Sequence, residues 1–211
     1  FHMNTVSLSR RKFAQLLGAG AACAVIKPAV SLAKTVPITN PAAPQLTGIV
    51  RLSSNENPYG PSPQGLKAMT NVFHLACRYP DENAAALIEK LAKLNNVTPD
   101  QILLGDGSGE VLKLCAETFT GARGKLVVAD PTFEAILHHA TTNGAEVVKV
   151  PLTSSFAHDL AKMSEVSNAA LVYICNPNNP TASITPKDEL HDFISKTPSQ
   201  TMILVDEAYF H

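Results

Sequence analysis

From about Ile49 onward, short unbroken apolar runs alternate with stretches in which apolar residues recur every three or four positions. The runs are "QILL", "KLVVAD", "EVVKVP", "AALVYIC" and "TMILVD", and each predicts a strand. Between them, "PSPQGLKAMTNVFHLA", "DENAAALIEKLAKLN", "GSGEVLKLCAETF", "PTFEAILHHATTNG" and "TPKDELHDFISK" predict helices. In the second helix Ala85, Ile88, Leu91, Ala92 and Leu94 fall near one face, with acidic residues in the first turn. The fourth is expected to carry Pro131 in its first turn and Gly144 at its end. The strands are apolar throughout rather than on alternate positions, so both faces of their sheet must be covered. The expected fold class is therefore α/β, a three-layer α/β/α arrangement around a mostly parallel sheet. No internal repeat suggests a solenoid.

Residues before this pattern read differently. Arg10 and Arg11 precede Phe13, and an Ala/Gly-rich apolar run from Phe13 to Ile26 follows, too short to span a bilayer. Ser31 and Ala33 place small residues as at a signal cleavage site. The pattern resembles a twin-arginine export signal, whose core is Ser-Arg-Arg-x-Phe. Residues 1–33 are thus expected to be a signal segment, the one part of the chain expected to meet a membrane, and 34–60 a linker or arm that begins Pro- and Thr-rich. That implies a periplasmic or exported protein; an ordinary amphipathic helix with two chance arginines would leave it cytoplasmic. The twin-arginine route carries folded proteins, often with a cofactor in place, and so bears on function.

Composition narrows the classes further. With 211 residues, 45% of them hydrophobic, the chain can bury a sizeable core. Its 17 basic and 18 acidic residues offer no basic groove for nucleic acid. Cys23, Cys77, Cys115 and Cys175 are too far apart for a zinc site, and the last three are expected to be small buried residues.

In an open parallel sheet, ligands bind outside the carboxyl ends of the strands. After "QILL" comes Gly105-Asp106-Gly107-Ser108-Gly109-Glu110, opening a helix. Its glycines and helix N-terminus suit an anion, though ordinary turn chemistry also explains them. It has neither the lysine of a P-loop nor the spacing of a dinucleotide fingerprint. After "KLVVAD" comes Phe133, a ring stacker or a core residue. After "AALVYIC" comes Asn176-Pro177-Asn178-Asn179-Pro180-Thr181, whose prolines stiffen a loop that can aim an amide. Asn176 and Asn178 can equally cap their own turn. After "TMILV" comes Asp206, a carboxylate that needs a cationic partner where nothing basic is close in sequence. A phosphate cradle, a ring stacker, an aimed amide and an anion for a ring nitrogen are together the needs of pyridoxal 5'-phosphate.

At this point the sequence resembles the fold-type I pyridoxal-phosphate aminotransferases (class I/II), most closely the histidinol-phosphate aminotransferase branch. The matching stretches are "LSSNENPYGPSP", "RYPD", "LLGDGSGE", "DPTFEAI", "NPNNPT" and "VDEAY". The resemblance implies that Ser108 and Gly109 offer N–H groups to the cofactor phosphate and that Phe133 stacks on the ring. It implies that Asn179 and Tyr209 bond the ring hydroxyl oxygen and that Asp206 pairs with the ring nitrogen. Tyr79 would reach the phosphate of a second copy, which implies a homodimer with shared sites. Asn55, Glu56, Asn57 and Tyr59 would lie near the substrate, or else belong to an arm that only packs.

Two positions depart from the family pattern. Gly109 stands where the family has Asp or Glu, and Ala182 where it has Gly. Ala182 costs little if φ there is negative and is strained otherwise. The family's Schiff-base Lys and carboxylate-binding Arg are expected downstream of His211. Residues 61–211 are thus expected to be a partial pyridoxal-phosphate-binding large domain, without the C-terminal small domain. The implied activity is transfer of an amino group between an amino acid or amino phosphate ester and a 2-oxo acid. The alternatives are an amino-acid-phosphate decarboxylase of the same branch and a non-catalytic binding protein on the same fold.

Overall fold

The computed structural model describes residues 52–57 and 59–210. The expected signal segment, 1–33, and most of the arm, 34–60, lie outside them. The chain divides into two compact units, residues 1–77 and 78–211. In the first, α1 (Pro63–Asn71) starts at Ser62, whose hydroxyl accepts from Gly65 N–H, and Pro63 takes the first helical position. Val72 leaves helical geometry, so the expected longer helix ends there and a 3-10 turn, Phe73–Leu75, follows.

The second unit begins with α2 (Asp81–Asn95), which ends on Asn96 in the left-handed conformation. Its inward side is formed by Ala84, Ile88, Leu91 and Ala92, at helical spacing. Ala85 and Leu94, expected on that face, are exposed, Leu94 by 79%. Then follow α3 (Ser108–Phe119), β1 (Lys125–Asp130), α4 (Ala135–Thr142), β2 (Val147–Pro151) and α5 (Leu160–Ser164). The unit closes with β3 (Ala169–Cys175), α6 (Lys187–Lys196) and β4 (Met202–Asp206). The four strands lie in the order β2-β1-β3-β4, all parallel.

Alternate strand positions supply two cores. Leu126 and Val128 of β1 and Leu171, Tyr173 and Cys175 of β3 face Leu112 and Ala116 of α3 and Ile136 and Ala140 of α4. On the other face, Val127, Val150, Val172 and Ile174 meet Met163 of α5 and Phe193 of α6. Coverage on both sides is why the strands carry no polar alternation, and the expected three-layer arrangement is the one observed.

"QILL" is not a strand. Gln101 ends a 3-10 turn, and although Ile102 is extended (φ −107°, ψ 123°), no ladder partner exists among the described residues. A strand needs a hydrogen-bonded neighbour as well as apolar residues, and Leu103 is 80% exposed. The fourth expected helix starts later, at Ala135, because Pro131 and Thr132 are held in a loop by Asn178. Cys77, expected buried, is exposed, whereas Cys115 is half-buried and Cys175 buried. Helix α5 was not expected: it is five residues long, too short to show a period, and is marked only by the Asp159 cap.

Candidate functional site

The strand order sets the site's place. From β1 the chain moves to one neighbour, β2, and returns to pair β3 on the other side of β1. The carboxyl ends of β1 and β3 therefore flank a topological switch point, where open sheets bind ligands. Two loops leave those ends, and one side chain joins them. The Asn178 amide accepts from Thr132 Oγ1 at 2.9 Å and donates to Pro131 O at 3.1 Å and Thr181 Oγ1 at 2.8 Å. Asn178 is thus more than a cap of its own turn; it ties residues 46 positions apart. Asn176 does close its own loop: its Oδ1 accepts from Thr185 N–H at 2.9 Å and its Nδ2 donates to Thr185 O at 3.1 Å.

With those two amides engaged, Asn179 is the one left over. It is half-buried, and its amide has no hydrogen bond among the described residues. The loop's sharp return passes through Ala182, whose φ is +56°. The left-handed region is costly for a residue with a Cβ, so this substitution of the family's glycine is a strained one.

Helix α3 presents its N-terminus to the same region. Gly107, at φ +84°, turns the chain into the helix, and a Cβ added there would be strained by that φ although it would meet no atom. Glu110 reaches back to accept from Asp106 N–H at 2.7 Å. That leaves the N–H groups of Ser108 and Gly109 without a hydrogen bond among the described residues. A Cβ at Gly109 would also meet nothing within 4 Å.

Ser108 and Val111 of α3 and Leu204 to Ala208 of the β4 end wall a cavity of about 240 Å³. Asp206 is half-buried in that wall. Its Oδ2 accepts from the Tyr173 hydroxyl at 2.8 Å and its Oδ1 from Ala208 N–H at 3.1 Å. Burial, with Cys175 and Asp206 adjacent, pushes the Tyr173 phenol far up, so it stays protonated. Burial likewise raises the Cys175 thiol, whose Sγ donates to Pro177 O at 3.4 Å.

Of the candidate residues, Ser108 and Asp206 share the cavity wall and Gly109 adjoins it. Phe133 is 37% exposed rather than part of either core. Tyr209 is exposed in the turn after β4, and Tyr79, 92% exposed, precedes α2. Asn55, Glu56, Asn57 and Tyr59 belong to the first unit and are exposed there. The Asn57 side chain serves its own turn, accepting from Tyr59 N–H and donating to Gly60 O. Sequence reasoning missed Tyr173 and Cys175. The available signal was a tyrosine inside an otherwise apolar strand, since a buried hydroxyl needs a partner. Among the described residues there is no cluster of metal-ligating side chains, and no helix is long and apolar enough to cross a membrane.

Comparison with known proteins adds three findings. The family model described as aminotransferase class I and II matches residues 47–211. The histidinol-phosphate aminotransferase of Moorella thermoacetica is 39% identical over 163 residues, covering 76% of this chain and 42% of that protein. The chain thus spans less than half the length of that relative. Two solved structures share the fold. Histidinol-phosphate aminotransferase from Sinorhizobium meliloti, in complex with pyridoxal-5'-phosphate, superposes with a TM-score of 0.70 at 28% identity, covering 74% of this chain and 43% of that one. L-threonine-O-3-phosphate decarboxylase from Porphyromonas gingivalis does so with a TM-score of 0.58 at 25% identity, covering 67% and 43%.

Proposed function

Because the chain belongs to the class I and II aminotransferases, we propose that the whole protein is a pyridoxal-phosphate-dependent aminotransferase of the histidinol-phosphate type. It moves an amino group between an amino acid or amino phosphate ester and a 2-oxo acid. The observation that carries this reading is the cavity shared by Ser108 and Asp206. One wall has free N–H groups at a helix start, suited to a phosphate, and the other has a carboxylate suited to a protonated ring nitrogen. The donor set fits the cofactor at both ends.

In this reading Ser108 and Gly109 anchor the phosphate, and Asp206 keeps the ring nitrogen protonated. Asn179 and Tyr209 hydrogen-bond the ring hydroxyl oxygen, and Phe133 covers the ring. The bound cofactor supplies an electron sink for the substrate carbanion. Tyr79 serves the phosphate of a second copy in a homodimer, and Asn55, Glu56, Asn57 and Tyr59 serve the substrate. The Schiff-base lysine belongs to the sequence after β4.

The likeness to a decarboxylase of known structure supports a second reading, in which the same site releases carbon dioxide from an amino-acid phosphate. Incubating the full-length protein with histidinol phosphate, threonine phosphate and common amino acids, each with 2-oxoglutarate, separates the two. Glutamate formation is expected; carbon dioxide without glutamate would mean the decarboxylase, and neither product a binding protein.

Export by the twin-arginine route is part of the proposal, resting on Ser9-Arg10-Arg11-Lys12-Phe13. Replacing both arginines with lysine should hold the protein in the cytoplasm, and an unchanged distribution on cell fractionation would refute this.

A further inference from the structure

Tyr173 lies in the middle of β3 and is 0% exposed. In the parallel register it stands beside Leu204, and Cys175 beside Asp206. Strand positions two apart share a face, so the Tyr173 side chain lies on the same side of the sheet as that of Asp206. Its hydroxyl donates to Asp206 Oδ2 at 2.8 Å, while Ala208 N–H takes Oδ1. Both carboxylate oxygens are therefore oriented by the chain, one by a side chain fixed in the core and one by the backbone.

The chemistry of that partner matters. A lysine or arginine in its place would cancel the carboxylate's charge. No salt bridge among the described residues involves Asp206. A phenol locked in its protonated form by burial fixes direction and leaves the charge available.

We infer that Tyr173 is a positioning residue that aims the Asp206 carboxylate at the cofactor's ring nitrogen without neutralising it. The inference rests on the proposed role of Asp206. Its test uses the full-length protein, stripped of cofactor and titrated with pyridoxal phosphate. Affinity is read from absorbance and ring orientation from the visible circular dichroism per bound cofactor. Tyr173→Phe keeps the packing and removes one charge-assisted hydrogen bond, so affinity should fall about tenfold, and the visible dichroism should weaken. A merely structural tyrosine would leave the dichroism per bound cofactor unchanged. A folded Tyr173→Phe protein with wild-type affinity and dichroism overturns the inference. Asp206→Ala separates the two readings. If it binds cofactor like the wild type, the role of Asp206 fails; if it loses cofactor while Tyr173→Phe does not, only the role of Tyr173 fails. Should Tyr173→Phe not fold, carbon-13 at the Tyr173 ring Cζ of the wild-type protein must shift when cofactor binds, and an unmoved resonance at saturation refutes the inference.

Discussion

Ala182 shows how one residue can be read from sequence only conditionally. Its departure from the family's glycine is visible in "NPNNPTAS", but whether it matters depends on φ. The value is +56°, in a turn closed by Ala182 N–H donating to Asn178 O at 2.7 Å. The Cβ has no favourable contact to offset the strain, since Ala182 is exposed. Ala182→Gly should therefore raise stability by about 1 kcal/mol, the left-handed penalty less the entropy cost of glycine. A denaturant titration of the full-length protein checks this, and an unchanged or lower midpoint would contradict it. The sequence offers Asn178 as a cap of its own turn, yet its amide works across 46 positions. No spacing rule reports a partner that far away.

At the scale of elements, strands were legible where both faces are covered, because burial leaves an unbroken apolar run. They were not legible where pairing decides, as at Ile102 to Leu104. Loops were less legible still. The segment after β2 meets the loop after β3 through His158, which is 3% exposed. Its Nδ1 lies 2.7 Å from Thr185 Oγ1, its backbone N–H donates to the same oxygen, and Thr185 in turn holds Asn176. The His158 Nε2 is buried without a hydrogen-bond partner. Burial lowers the His158 pKa from its ordinary 6.5 to about 4. Between those values the unfolded chain binds a proton that the folded chain refuses, so folding stability falls as pH falls. The loss is on the order of 3 kcal/mol between the two pKa values. His158→Asn keeps an acceptor near the Nδ1 position and removes the titration. Its stability should decline less than that of the wild type from pH 6.5 to pH 4 in denaturant midpoints; parallel declines would contradict the assignment.

For the whole molecule, the alternation of elements was enough to place a parallel sheet between two helical layers. The carboxyl-end rule was enough to nominate Asp206 at the end of β4; Ser108 follows "QILL", which is not a strand, and is marked instead by the glycine turn that opens α3. What the sequence could not show is that α3 and the end of β4, nearly a hundred positions apart in the chain, wall one cavity. Nor could it show that Tyr173 stands behind Asp206, 33 positions before it. These are consequences of strand order and register, which emerge only when the chain is folded.

In the proposed site, Asp206 and the start of α3 hold the two ends of one cofactor. Equilibrium binding of pyridoxal phosphate to the full-length Asp206→Ala protein tests it most directly. Loss of a charged partner should weaken binding at least tenfold, with the fold intact by far-ultraviolet circular dichroism. Wild-type affinity in that variant would contradict the account.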